Sequence, residues 1–201
     1  MNRSSVALQP RVGADPRAAR FPRGLSLALC AALTLLVVVA AALATSPAVH
    51  AGPLVPFTIT VGDNPQAMAL NPVTNKIYVV NLASNDVTVI DGATNATSTI
   101  PVGAWPIAAA VNPVTNKVYV ANANSNNVTV IDGATNATTT VAAGASPDAV
   151  AVNPVTNRVY VANTDGNTVT VIDGATNTVA ATVAAGTGPT AVAVNPVTNK
   201  V

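Results

Sequence analysis

The groups able to do acid–base, nucleophilic or metal chemistry are few in this chain and unevenly placed. Its one cysteine, Cys30, and its one histidine, His50, both precede Gly52, and there is no glutamate. From Gly52 onward the charged residues are Asp63, Asp86, Asp91, Asp132, Asp148, Asp165 and Asp173 against Lys76, Lys117, Arg158 and Lys200. That stretch lacks the material for an N/S zinc site, a Ser-His-Asp or Cys-His nucleophile, or c-type haem attachment. It has no glycine-rich phosphate cradle. Asp91, Asp132 and Asp173 each stand before a glycine. A turn carboxylate of this kind bonds nearby backbone N–H groups. One such carboxylate per repeat is too widely spaced for a general acid–base pair. No catalytic residue, metal or cofactor is expected, and no loop has the alternating aspartates of a calcium site. The balance after Gly52 is acidic and sparse, which argues against nucleic acid, whose affinity rests on Lys and Arg at phosphates. Asn95, Asn127 and Asn136 begin glycosylation-type triplets, read here as turn and strand chemistry of an Asn/Thr-rich repeat.

The elements that position these residues are read from a repeat. Asn71-Pro72-Val73-Thr74-Asn75-Lys76 returns at Asn112, Asn153 and Asn195, spaced by 41, 41 and 42 residues. Val89-Ile90-Asp91-Gly92-Ala93-Thr94-Asn95 returns at Val130 and Val171. A fixed period near 40 residues signals a repeat architecture. Within the third repeat, Asp148–Val152, Arg158–Ala162, Thr168–Ile172 and Thr178–Val183 are short runs rich in β-branched residues. Turn sequences rich in Asn, Asp, Gly and Pro separate them. Nothing has helical periodicity. Four short strands per repeat match one blade of a β-propeller, so the fold expected is all-β, a propeller of four-stranded blades.

The motifs Tyr78-Val79-Val80-Asn81, Tyr119-Val120-Ala121-Asn122 and Tyr160-Val161-Ala162-Asn163, each following the Asn-Pro-Val-Thr-Asn turn, resemble the YVTN-family β-propeller repeat. The resemblance covers roughly residues 57–201. It implies an exported bacterial or archaeal propeller, periplasmic or surface-layer-like, of a family whose activities are mostly binding or unknown. Propellers use 4–8 blades, and this body holds between three and four. Phe57–Gly62 aligns with a fourth strand, and Val201 falls where a second strand begins. An incomplete ring is therefore expected in this chain. The alternative is a complete chain whose open blade edges self-associate.

Comparing the repeats separates scaffold from candidate site. Tyr78, Tyr119 and Tyr160 are expected between blades with satisfied hydroxyls. Lys76, Lys117, Arg158 and Lys200 are expected as solvated turn residues on one rim. The varying positions lie in and just after the inter-blade loops: Asp63, Asn64 and Gln66, then Trp105 and Ile107, then Ser146 and Asp148, then Thr187 and Thr190. The second-to-third-strand loops add Asp86, Asn124 and Asp165 on the same face. The candidate binding residues are Asp63, Asn64, Gln66, Trp105, Asp148 and Asp165. Trp105, the only tryptophan, suits a binding anchor or, equally, a local packing role. This oxygen-rich face suits sugars, polar peptides or a hard cation, and the partner expected there is a protein, peptide or glycan.

Before the repeats, an arginine-bearing stretch precedes an apolar run from Leu25 to Ala44, and then Thr45 to Ala51. This is the order of a secretory signal. Val49 and Ala51 precede a cut before Gly52; Ser46 and Ala48 offer a second. Leu29 before Cys30, with most of the apolar run after it, argues against a lipoprotein cysteine. The run is also long enough to span a bilayer, so an uncleaved anchor is the alternative and would be the only membrane contact. Residues 1–51 are thus a signal or anchor, and residues 52–201 an exported repeat domain. The function expected is a non-catalytic binding or cell-surface structural module. The alternative is part of an exported propeller enzyme or redox subunit whose active residues lie in missing blades.

Overall fold

The computed structural model describes residues 58–201; the expected signal or anchor, 1–51, and Phe57 lie outside the described residues. These hold twelve strands in three four-stranded antiparallel sheets and no helix. Blade 1 comprises β1 (Pro65–Asn71), β2 (Lys76–Asn81), β3 (Asp86–Asp91) and β4 (Thr97–Pro101). Blade 2 comprises β5 (Pro106–Asn112), β6 (Lys117–Asn122), β7 (Asn127–Asp132) and β8 (Thr138–Ala142). Blade 3 comprises β9 (Pro147–Asn153), β10 (Arg158–Asn163), β11 (Thr168–Asp173) and β12 (Thr178–Ala184). Each sheet is a meander in chain order, and β1, β5 and β9 pack side by side. This is the blade arrangement of a propeller, as the repeat predicts.

The asparagine content has a backbone cause. In each turn one residue adopts a left-handed conformation: Asn75, Asn116, Asn157 and Asn199 in the first turn; Asn85, Asn126 and Asn167 in the second. Asn95, Asn136 and Asn177 do so in the third. That region costs an L-residue roughly 1–2 kcal/mol, and asparagine tolerates it best after glycine. In the inter-blade loops the same conformation falls on Asn64, Trp105, Ser146 and Gly188. Gly188, not Thr187, is therefore the counterpart of Trp105; the 42-residue spacing adds one residue before it.

The first asparagine of the repeated turn joins the blades. Asn71 Oδ1 accepts from the Val73 and Thr74 N–H groups of its own turn, at 3.0 and 3.4 Å. Its Nδ2 donates to Asn116 Oδ1 in the next blade at 2.8 Å. Asn112 Nδ2 donates likewise to Asn157 Oδ1 at 2.9 Å, and Asn153 Nδ2 to Asn199 Oδ1 at 3.1 Å. All three donor asparagines are buried. Buried amides need such partners, because an unpaired one loses its water without replacement.

Lys200 is exposed, as expected, but Lys76 and Lys117 are half-buried and bridge blades instead of standing as solvated turn residues. Lys76 Nζ donates to the Gly133 carbonyl of the next blade at 2.7 Å. Lys117 Nζ donates to the Gly174 carbonyl at 2.8 Å and to Asn177 Oδ1 at 3.0 Å. The long stem carries the ammonium across the blade gap to carbonyls that the turn leaves unpaired. Arg158 pairs instead with Asp173 of its own blade at 3.1 Å.

Blades pack through alternate residues, because strand side chains switch faces at every step. Tyr78, Val80, Val87, Val89 and Ile100 of blade 1 meet Val118, Val120 and Ile131 of blade 2. Tyr119, Val128, Val130 and Val141 meet Val159, Val161 and Ile172 of blade 3. Each fully buried side chain of this size contributes roughly 1.5–3 kcal/mol. Tyr78 and Tyr119 lie between blades as expected, but their hydroxyls are not satisfied: both are buried with no hydrogen-bond partner among the described residues. The tyrosines are needed for their rings. Burial, and then the charge of Asp173, pushes the Tyr119 phenol up to about 12. Burial, and then Asp132, raises Tyr78.

Two expected strands are absent. Residues 58–61 have no strand pairing, and neither do Ala191–Val194; only an Asn195–Lys200 bridge marks the fourth repeat. A strand requires a hydrogen-bonding neighbour, and the described residues supply none to either segment.

Candidate functional site

A meander puts the turns between its first and second strands and between its third and fourth strands at one end of each blade. The loops between second and third strands and the inter-blade loops lie at the other. The asparagine latches and lysine bridges occupy the first end. There Asp91 Oδ1 accepts from Ala93 and Thr94 N–H, each at 2.9 Å, and from Thr94 Oγ1 at 3.0 Å. Backbone donation from Thr94 holds Asp91 below the ordinary carboxylate range; donation from Thr135 and Ala175 does the same for Asp132 and Asp173. These carboxylates shape turns, as the sequence implies.

At the second end, the last asparagine of each Tyr-Val-x-Asn motif closes the loop between the second and third strands of its blade. Asn122 Nδ2 donates to Asn127 Oδ1 at 2.8 Å and to Thr129 Oγ1 at 2.9 Å. Asn163 Nδ2 donates to Thr168 Oγ1 at 3.0 Å and Thr170 Oγ1 at 2.9 Å. The incoming inter-blade loop is fastened to the same threonines, by Gly103 N–H to Thr129 Oγ1 at 3.4 Å and Gly144 N–H to Thr170 Oγ1 at 3.2 Å. The glycines there are required by close approach. A Cβ on Gly103 would overlap Ser125 Oγ, and one on Gly144 would sit 2.7 Å from Asn163 Nδ2.

Between these fixed loops of blades 2 and 3 lies an open cleft of about 410 Å³. Trp105 and Ile107 line it from the first inter-blade loop and β5, with Ser146 and Asp148 from the next loop and β9. Asn124 closes it from the β6–β7 loop and Asp165 from the β10–β11 loop. Trp105 is held by its backbone: its N–H donates to Asn85 Oδ1 at 2.9 Å, and its carbonyl accepts from Ala123 N–H at 2.9 Å. The residue is 56% exposed. Ser146 Oγ donates to Asp165 Oδ2. Asp148 is half-buried and accepts no hydrogen bond from the described residues.

Three of the six residues singled out from sequence, Trp105, Asp148 and Asp165, therefore meet in one cleft. Asp63, Asn64 and Gln66 stand at the same end of blade 1 but outside it. Gln66 Nε2 donates to Asn64 Oδ1 at 2.8 Å. Gln66 also borders a second, apolar groove of about 440 Å³, with Ile59, Val61, Met68, Val79 and Ile90. Ala123 and Thr164, which also line the first cleft, were missed. Their signal was available: the equivalent residue of the first repeat is Leu82, so this position varies too.

No family model matches the chain, and no curated protein matches it. Solved structures do. Hydrazine synthase from Kuenenia stuttgartiensis superposes with a TM-score of 0.60 at 24% identity, over 68% of this chain and 40% of that one. Apo AztD from Citrobacter koseri superposes with a TM-score of 0.56 at 15% identity, over 67% of this chain and 38% of that one. The chain thus spans about two fifths of the length of either. At such identities the likeness is one of fold, and it agrees with a propeller of four-stranded blades.

Proposed function

We propose that this chain is an exported, non-catalytic propeller module of the YVTN type that binds a protein, peptide or glycan through the cleft between blades 2 and 3. One observation carries this reading. Residues repeated in every blade are engaged in latches, turns and packing, whereas every cleft residue falls at a position that differs between repeats. Scaffold demands are the same in each blade, so a position released from them is free to serve a ligand. Export rests on the signal-like order of residues 1–51. The test compares peptide and glycan arrays probed with the parent and with a Trp105→Asn/Asp148→Asn variant. The variant should lose the signal while keeping its melting temperature. Equal signals from both proteins would sink the assignment of the cleft.

Hydrazine synthase is by its name an enzyme, which favours one second reading: that residues 52–201 belong to an exported propeller enzyme or redox subunit with its active residues in further blades. Histidine, glutamate or a haem-attachment motif in adjoining coding sequence would support it. The end faces of the three blades carry Met68 and Leu70, exposed by 72% and 57%, and Val179 and Val183, exposed by 43% and 52%. Ring closure covers such faces and edges. If a second copy covers them, sedimentation will show dimers or larger species that dissociate in Met68→Glu.

A further inference from the structure

Charge is segregated between the two ends of the blades. Lys76, Lys117, Arg158 and Lys200 all lie at the latch end, beside Asp91, Asp132 and Asp173. Asp63, Asp86, Asp148 and Asp165 all lie at the cleft end, where the described residues include no Lys or Arg. A low-dielectric cleft lined by one sign of charge focuses the potential and attracts ions of the opposite sign. Asp86 is engaged with Asn81 Nδ2 at 2.7 Å. Asp148 has no such partner, and Asp165 uses only Oδ2, toward Ser146. Two carboxylates with acceptor capacity thus border one cleft, which the exposed Trp105 also lines.

We infer that this cleft takes the guanidinium or ammonium side chain of a basic peptide segment of a partner protein; the inference rests on the binding reading above. The three parts match such a group. An indole face attracts a cation through its quadrupole, and tryptophan does so best. Carboxylates add charge-assisted hydrogen bonds, bidentate for arginine. Ile107 and Ala123 give apolar surface for the methylene stem. At about 410 Å³ the cleft lies near the small end of ligand sites, room for one or two side chains and short for an extended oligosaccharide. Trp105 combines exposure with a φ of 54°. Neither favours stability, and the other repeats use Asn64, Ser146 or Gly188 at this position.

The single tryptophan makes the test site-specific. Intrinsic fluorescence of the full chain is titrated with a short peptide alternating arginine and glycine, with its glutamate counterpart, with free arginine, and with a neutral glucan oligosaccharide. The arginine peptide should change the emission saturably, more tightly than free arginine and less tightly as salt rises. Asp148→Asn should weaken it about tenfold, whereas Asp132→Asn, at the far end, should not. A response to the glucan and not to the arginine peptide would overturn the cationic assignment while leaving a binding cleft standing. Silence toward every probe would overturn both readings. Unchanged affinity in Asp148→Asn would also refute the inference, provided circular dichroism shows both proteins folded.

Discussion

If the repeated asparagine is a latch between blades, then Asn112 and Asn157 must be energetically coupled. Asn112 is fully buried. Its Oδ1 holds Val114 and Thr115 N–H at 3.1 and 3.4 Å, and its Nδ2 reaches Asn157 Oδ1 at 2.9 Å. Asn112→Ala removes both sets. Three bonds are lost at about 1 kcal/mol each, so a cost of about 3 kcal/mol is expected. Asn157 has a φ of 51°, so its partner variant is Asn157→Gly, which keeps the left-handed backbone. That change removes the acceptor, and its direct cost is about 1 kcal/mol. In the double variant the inter-blade bond is lost only once, giving a coupling of about 1 kcal/mol. Urea unfolding followed by circular dichroism measures it, with the slope checked for constancy across variants. Asn71→Ala with Asn157→Gly is the control, because these two residues share no bond; they should add within about 0.5 kcal/mol. Should the test pair couple no more than the control, the latch is incidental and the blades are held by their apolar faces alone.

Further expectations follow from the same geometry. A Cβ on Gly133 would overlap Asn116 Oδ1 and come within 2.8 Å of the Asn116 carbonyl. Gly133→Ala should therefore cost roughly 1–3 kcal/mol in the same assay, whereas Gly186→Ala, which meets nothing within 4 Å, should not. Asp91, Asp132 and Asp173 have lowered pKa values against an ordinary 3.8. Their contribution is present above 3.8 and is lost as pH falls through the lowered values. Melting temperatures should hold at neutral pH and drop in that acid window, less steeply in Asp132→Asn. Tyr119 has the opposite sign. Its folded value of about 12 exceeds 10.0, so its contribution is full below pH 10.0 and is lost toward about 12. Tyr119→Phe should flatten the alkaline limb of an unfolding profile.

The sequence by itself determined the blade. The Asn-Pro-Val-Thr-Asn turn, the alternating valines and the Asp-Gly turn recur at a fixed period, and each is a local instruction. Asparagine tolerates the left-handed turn residue, aspartate bonds the N–H groups two and three residues on, and β-branched residues fit a pleated surface. Such short-range preferences act within a few residues and are legible in order. What lies between blades was not. That Asn112 reaches Asn157 and that Lys76 bridges to the Gly133 carbonyl are relations across 45 and 57 residues, and the unpartnered tyrosine hydroxyls result from how neighbouring blades meet. They depend on the angle and separation at which two sheets pack, which no local pattern encodes. The site divides in the same way. Variation among repeats marked Trp105, Asp148 and Asp165 together with Asp63, Asn64 and Gln66. Only the packing of blade 2 against blade 3 gathered the first three around one cleft and left the others on a separate blade.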